Sequence, residues 1–402
     1  MKNIVGVIFF IGSVFLFANC GESNKKTTEE SESLMQIVVD ADDCQSVDFN
    51  EISKNVKYIQ LETNSQCLLK SIDKVQIYKD KIYVYNFTRD GGNLFCFDMD
   101  GKYLFTIGTR GQGPGEYVMM VDFEIDKRNN LLWIGDNAKK IMKFDLNGNF
   151  IEQFKTEFSI SKIKPSLTNK DVMAIHLGYY KDNEDLSFIL YSLKEKSILF
   201  SKTANSLIQR SFTLLNVFFE YQDEIRSFRV FNDTVFSIGK SKIEPILVVD
   251  FGKRSIPKDL LNDKNTRNIQ SQFSKPENKY AGLMSDGIET SDYFMFSYNF
   301  SGASPKAIYS KRFRKTLNVS EVVIDGKTVN NAGTYFFNFY QNNKFISFLP
   351  AHLLIENNET NSNIQKQQYG CYSNISDLLS NLKEDDNPIL ILSDENFANY
   401  MK

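Results

Sequence analysis

Histidine is nearly missing from this chain: His176 and His352 are the only two in 402 residues. Nucleophilic triads, cysteine–histidine pairs and multi-histidine metal centres are all built around an imidazole. Two histidines so far apart leave little room for such sites, and each is expected in a strand or loop with ordinary partners. A basic surplus is also absent. Lys and Arg number 47 against 50 Asp and Glu, a formal net charge of −3, and no stripe or tail concentrates arginine. Nucleic acid is therefore not expected as a partner. No CxxC spacing occurs among the cysteines. Cys44, Cys67, Cys96 and Cys371 are expected as free or buried thiols, with a Cys44–Cys67 bridge as the alternative. The apolar run Ile4–Phe17 is shorter than the roughly 20 residues that span a bilayer.

That run, preceded by Lys2, has the pattern of a secretory signal peptide. The following Phe17-Ala18-Asn19-Cys20-Gly21 resembles a lipobox, where a signal peptidase cuts before a cysteine that then receives lipid. Asn19 fits the relaxed form of that box common in Bacteroidetes rather than the strictest form. Residues 1–19 are thus expected to be a lipoprotein signal peptide, with Cys20 lipidated and the membrane bound through it. Several acyl chains hold a membrane where a single chain barely does. An ordinary cleaved signal with an incidental cysteine is the alternative. Residues 20–45 read as a flexible tether. Gly21 to Ser33 is polar and charged, with no large apolar side chain, and cannot bury enough surface to fold. Glu22 stands alone before Lys25 and Lys26, a weak form of the acidic signal for surface export. The expected location is the cell envelope, at the outer membrane, with the face left open.

What the chain has in abundance is aromatic: 34 Phe and 19 Tyr. Phe, Tyr, Ile and Val favour half-buried pleated surfaces, so the composition leans to β. A repeat organises it. Phe97-Asp98-Met99-Asp100-Gly101-Lys102-Tyr103-Leu104 returns 47 residues later as Phe144-Asp145-Leu146-Asn147-Gly148-Asn149-Phe150-Ile151. Degenerate echoes begin at Tyr191 and Tyr309. Asp-Gly and Asn-Gly are strong turn signals, so each copy is a hairpin between adjacent antiparallel strands. Two further strands precede each copy, such as Ile72–Ile77 and Lys81–Tyr85 before the first. Four short strands in about 47 residues is the size of a propeller blade. The mature body, over residues 46–396, is expected to be all-β, a single β-propeller of six blades, although seven minimal units also fit the length. Val56–Leu61 is expected to pair with the last blade and close the ring, which removes a free edge.

Several segments resemble one known family. Val56-Lys57-Tyr58-Ile59-Gln60-Leu61-Glu62-Thr63 followed by Ile72-Asp73-Lys74-Val75 is similar to the opening of the Bacteroidetes six-bladed β-propeller lipoproteins, relatives in architecture of NHL-repeat propellers. Ile107-Gly108-Thr109-Arg110-Gly111-Gln112-Gly113-Pro114-Gly115-Glu116-Tyr117 resembles that family's most specific signature. Leu382-Lys383-Glu384-Asp385-Asp386-Asn387-Pro388-Ile389-Leu390 resembles its closing motif. The likeness is clearest over residues 56–155 and 378–392 and departs over about 160–230. It implies six blades, a lipid anchor and an envelope location, and no particular reaction, since a propeller hosts many functions.

Candidate sites each stand beside a plainer explanation. In the loop Arg110–Glu116, three glycines let backbone amides approach an anion closely. Arg110, Gln112 and Glu116 are accordingly the candidate ligand-binding residues. The plainer role is a rigid link between blades, since neither a Walker loop nor a strand-to-helix GxGxxG is present. Asp122 and Asp126 share one side of a strand by alternation. Paired carboxylates can do acid–base work or bind calcium, or brace turns. Asp385-Asp386-Asn387-Pro388 lacks EF-hand spacing and reads as a turn. Trp133, Tyr179, Tyr180 and Tyr221 are conceivable sugar-stacking rings, although Trp133 aligns with Tyr83 at an interior strand position.

The expected function is that of a non-catalytic envelope lipoprotein whose propeller binds a glycan or a protein partner, with nutrient capture as one setting. No catalytic residue, metal site or cofactor is assigned. The alternative is a carboxylate- or metal-dependent hydrolase or lyase acting on a polysaccharide or peptide, because glycoside cleavage needs only two acids. A structural assembly subunit is a third possibility.

Overall fold

All four copies of the repeat form the hairpins that their turn residues predict. In the first, the Asp98 carboxylate accepts from the amides of Asp100 and Lys102 at 3.0 and 2.9 Å. In the second, Asp145 accepts from Asn147 and Asn149 at 2.8 and 2.9 Å. Gly101 and Gly148 sit at φ of 85° and 82°, which glycine adopts without steric cost. A Cβ on Gly101 would also meet the Gln60 carbonyl oxygen at 2.2 Å. The degenerate copies put Lys196 and Arg314 into the left-handed region at φ of 50° and 53°.

The computed structural model describes residues 34–178, 186–203, 216–229, 231–239, 242–257, 260, 275–277, 279–355 and 369–401. The expected signal peptide 1–19, Cys20 and most of the tether lie outside the described residues, as do Tyr179 and Tyr180.

Six sheets surround one axis, each entered by its inner strand. Blade 1 is Lys74–Tyr78, Lys81–Asn86, Asn93–Asp98 and Tyr103–Thr106. Blade 2 is Met120–Asp126, Leu131–Asp136, Lys140–Asp145 and Phe150–Lys155. Blade 3 is Ile160–Pro165, Val172–Leu177, Leu186–Ser192 and Ser197–Thr203. Blade 4 is Phe218–Tyr221, Glu224–Arg229, Asn232–Ile238 and Ile243–Asp250. Blade 5 is Gly282–Glu289, Tyr293–Asn299, Lys306–Ser310 and Lys315–Ile324. Blade 6 takes Phe339–Gln341, Lys344–Leu349 and Ile389–Glu395 from the C-terminal part of the chain, and Ser53–Gln60 from the N-terminal part. The closure expected at Val56–Leu61 is thus present: Ile59 pairs with Leu390 and Tyr58 with Ile391. Gly370–Tyr372 adds a further antiparallel strand beside Ser53–Gln60.

The boundary expected at residue 45 falls earlier. Met35–Val38 lies parallel to the outer strand of blade 4, with Ile37 beside Val249. Gln45–Asp48 does the same on blade 5, with Val47 beside Val322. Alternating apolar side chains explain this: Ile37, Val39 and Ala41 are at most 2 % exposed and pack among the aromatics between blades 4 and 5. The C-terminal limit moves outward as well, because Phe397 and Met401 are buried in the core shared by blades 5 and 6.

Neighbouring blades bury each other's faces. Tyr85, Ile107 and Tyr117 meet Phe123 and Ile134 between blades 1 and 2. Phe219 and Phe228 meet Phe294 and Phe296 between blades 4 and 5. Each such side chain contributes about 1.5–3 kcal/mol when it leaves water completely, and no blade achieves that alone. The four cysteines are free. Cys67 donates to the Glu62 carbonyl at 3.1 Å, while Cys44 lies against Ala41 and Tyr298.

Candidate functional site

Polar residues recur at alternate positions on the inner strands: Lys74 and Gln76 in blade 1, Asp122 and Glu124 in blade 2, Lys162 and Lys164 in blade 3. Alternation sends both members of each pair to the same side, and ring closure brings the pairs together. Lys74 Nζ donates to Asp122 at 2.8 Å and to Glu124 at 2.6 Å. Gln76 Nε2 donates to Glu124 at 2.8 Å. Lys164 Nζ spans Glu124 at 3.0 Å and Glu220 of blade 4 at 2.6 Å. Acid and base therefore alternate through four consecutive blades.

Near the axis, Asn216 Nδ2 donates to Asp286 of blade 5 at 2.6 Å and reaches the Asp73 carbonyl at 3.5 Å. Beside this bridge lies a cavity of roughly 90 Å³, open to solvent, to which all six blades contribute. Lys127, Glu220, Glu289 and Tyr340 line it at or next to the first hairpin turn of their blades. Glu289 is held by Lys311 at 2.8 Å and by Arg226 at 3.3 Å.

The electrostatics follow from burial and pairing. Burial works against ionisation of Glu124, but the charges of Lys164 and Lys74 prevail and hold its carboxyl at about 2. Lys164 likewise holds the Glu220 carboxyl below the usual carboxylate range. Burial lowers Lys162, with Asp122 opposing it. Behind the cavity wall, Lys306 is 1 % exposed, and its Nζ has no hydrogen-bond partner among the described residues.

The residues proposed from sequence are scattered. Thr109–Arg110 pairs in parallel with Glu116–Tyr117 to close the glycine-rich loop on itself. The amide of Gly113 donates to Glu116 Oε2 at 2.8 Å, that of Gly111 to the Tyr117 carbonyl at 3.0 Å, and that of Gly115 to Gln153 at 3.1 Å. Arg110 and Gln112 are exposed, and neither they nor Glu116 line the central cavity. Asp122 belongs to the ion-pair chain. Asp126 instead braces the next turn, accepting from Asn129 Nδ2 at 2.6 Å and from the Arg128 amide at 3.1 Å. Asp386 accepts from Gln60 at 2.9 Å and from the Lys383 amide at 2.8 Å. Asn387 bonds into the Glu62–Leu69 segment. Trp133 is core, 4 % exposed between blades 2 and 3. The Tyr221 ring has Lys311 Nζ at 4.2 Å from its centroid and the Arg226 guanidinium at 5.8 Å. Tyr340, which sequence did not single out, is a 36 % exposed ring of the cavity. Among the described residues, no cluster of His, Cys, Asp and Glu could hold a metal ion.

The family model described as Domain of unknown function (DUF4934) matches residues 35–393. A solved structure of a Bacteroides fragilis protein, described as a "putative exported protein", has the same fold. It aligns with a TM-score of 0.70 at 18 % identity, over 90 % of this chain and 99 % of that one. BamB from Moraxella catarrhalis aligns at a TM-score of 0.39 and 11 % identity, over 64 % of this chain and 66 % of that one. The WD40 β-propeller domain of Doa1 aligns at 0.36 and 12 %, over 70 % and 80 %. No curated protein matches the sequence.

Proposed function

We propose that this chain, which belongs to the DUF4934 family, is an envelope-anchored binding propeller that holds a glycan in its central cavity. One observation carries the reading: all six blades build a single polar cavity whose principal charges already neutralise one another. A cavity of that kind asks for no opposite charge from its ligand. Its amides, ammonium groups and carboxylate oxygens offer both donors and acceptors to hydroxyls, and Tyr340 offers a ring face.

The same electrostatics disfavour Glu124 and Glu220 as the general acid of a glycoside cleavage. A general acid must be protonated at working pH, whereas Glu124 and Glu220 are both held ionised by lysine. The leader Lys2 to Phe17 and the lipobox-like Phe17–Gly21 support anchoring through Cys20, and the neighbour described as exported agrees with an extracytoplasmic site. Replacing Cys20 by Ala should move the protein from the membrane fraction to the soluble fraction; retention on the membrane would refute lipid anchoring.

The binding reading is tested by thermal unfolding of the full mature protein in mild detergent, against neutral oligosaccharides, peptides and isolated envelope proteins. A ligand that binds only the folded state raises the midpoint by mass action. One oligosaccharide class should raise it in a concentration-dependent way, with no new products in the sample. A rise with peptides or envelope proteins alone would overturn the choice of glycan, and product formation would convert the binder into an enzyme.

A further inference from the structure

The outer strands of blades 4, 5 and 6 are each covered by further strands of this chain: Met35–Val38, then Gln45–Asp48 with Lys327–Asn330, then Gly370–Tyr372. Those of blades 1, 2 and 3 are the last strands of their sheets. Apolar side chains stand in the open there. Leu104, Ile151 and Ile198 are 39, 46 and 45 % exposed. Each is the second residue of its outer strand, and the three lie at successive steps of 47 along the repeat. Phe150 and Leu199 beside them are exposed as well. A single exposed apolar residue needs no explanation, whereas a recurring one marks an interaction surface.

An open strand edge invites another strand. Here the ladder is interrupted at this very spot. Leu104, Ile151 and Leu199 are the extra residues of β-bulges, with no partner on the third strand. A bulge bends the strand and opposes further pairing. The rim therefore offers side chains rather than backbone.

The turns next to these residues are basic. Among the described residues, the turns from third to fourth strand in blades 1 to 5 carry seven Lys and Arg against Asp100 and Glu195. Lys194, Lys242 and Lys311 pair with Glu195, Glu244 and Glu289. Lys102, Lys196, Arg312 and Arg314 are exposed, with no ion pair among the described residues. The described chain also begins on this rim: Met35–Val38 edges blade 4, and Leu34, Met35 and Val38 are exposed. Leu34 follows Cys20 by 14 residues, at most about 50 Å of extended chain.

We propose that the outer rim running from blade 1 to blade 5 is a membrane-contact surface that rests on anionic lipid headgroups. Apolar side chains interleaved with unpaired cations have the composition of an interfacial surface. The inference goes beyond the glycan reading and shares with it only the anchor at Cys20. The rim contact is weak and screened by salt, so it supports the lipid anchor without replacing it, and the Cys20→Ala chain still leaves the membrane at physiological salt.

The test is sedimentation of the full mature chain carrying Cys20→Ala with phosphatidylglycerol and phosphatidylcholine vesicles at low salt. It should pellet with the anionic vesicles, pellet less with the zwitterionic ones, and be released by added salt. Lys102→Gln with Arg312→Gln should weaken anionic binding about fivefold for each charge removed. Leu104→Ser with Ile151→Ser and Ile198→Ser should weaken it about tenfold or more. All these positions are exposed, so unfolding midpoints should stay at the wild-type value. No binding to anionic vesicles overturns the inference, as does binding that both folded variants retain in full. Concentration-dependent dimerisation in place of vesicle binding would make the rim a contact between copies and also overturn it. The vesicles carry no saccharide, so these outcomes are separate from the glycan titration, and the fractionation of Cys20→Ala tests the anchor by itself.

Discussion

Glu124 and Lys164 form a 3.0 Å ion pair between the inner strands of blades 2 and 3, and both side chains are at least nine-tenths buried. Glu124 also accepts from Lys74 and Gln76. Removing the carboxylate leaves two ammonium groups underpaired near the axis. Breaking a buried pair from one side is strongly destabilising, about 3–5 kcal/mol, whereas replacing the whole set by apolar groups is often neutral. Glu124→Leu should therefore lower the urea midpoint substantially. Neutralising the whole set, by adding Lys74→Met, Lys164→Met, Asp122→Asn and Glu220→Gln, should recover much of the loss, because Lys74 also pairs Asp122 and Lys164 also pairs Glu220. Denaturation curves with unchanged slope check this; a fully neutralised variant no more stable than the single would refute it.

Asn387 makes a second prediction. It is fully buried, and its Oδ1 accepts from the Leu69 amide at 2.7 Å. Its Nδ2 donates to the carbonyls of Glu62 at 2.7 Å and Cys67 at 2.9 Å. The closing segment is thus clasped to the opening segment at the ring seam. Asn387→Ala takes the Asn387 partner from the Leu69 amide and the Cys67 carbonyl, each costing about 1–3 kcal/mol, while the Glu62 carbonyl keeps its bond from Cys67. The expected result is a loss of about 2 kcal/mol or more, with faster amide exchange at Leu69. Unchanged exchange there would separate the clasp from the stability of the ring.

The same seam shows what sequence could and could not reveal. Turn chemistry is local, so Asp98, Gly101, Asp145 and Gly148 disclose the hairpins and their spacing, and from them the blades. Ring closure by Val56–Leu61 follows from a strand pattern at one end and its match at the other. The cavity is different. Lys74, Glu124, Lys164 and Glu220 look like ordinary polar positions of half-buried strands, and they become a chain of ion pairs only when residues 40 to 56 positions apart meet at the axis. The usable signal was alternation at matching positions of successive blades, which Asp122 shows in part. Met35–Val38 escaped because four residues give too little periodicity to separate a strand from a tether.

His176 supplies a pH prediction. It is buried in the interface of blades 3 and 4 near Phe188, Arg229 and Phe236. Burial, followed by the charges of Arg229 and Lys162, lowers it from 6.5 to about 4. The folded state holds this imidazole neutral while the unfolded chain protonates it near 6.5. Its contribution to stability is complete above pH 6.5 and is lost as pH falls toward 4. Glu124 is also lowered, from 4.5 to about 2, so its contribution is lost only below about pH 4.5. The two windows are separable. His176→Leu should flatten the stability profile between pH 6.5 and 4 and leave the steeper fall at lower pH. An unchanged slope in the upper window would show that another group titrates there.

The glycine-rich loop separates a structural role from a ligand role. Gly115 has φ of 76°, and a Cβ there would lie 2.9 Å from the Phe150 ring. Gly115→Ala therefore meets both backbone strain and a clash, and should cost about 1–3 kcal/mol. Gln112 is exposed and makes none of the loop's closing bonds, which run through Gly111, Gly113 and Gly115. Gln112→Ala should change stability by no more than about 0.5 kcal/mol. Arg110 is also exposed, so Arg110→Ala is a second probe of the loop surface. If ligand binding resides in the central cavity, both alanine variants keep wild-type affinity for whatever the cavity holds. A folded Gln112→Ala or Arg110→Ala that loses that affinity would place recognition on the loop and remove the cavity from the argument.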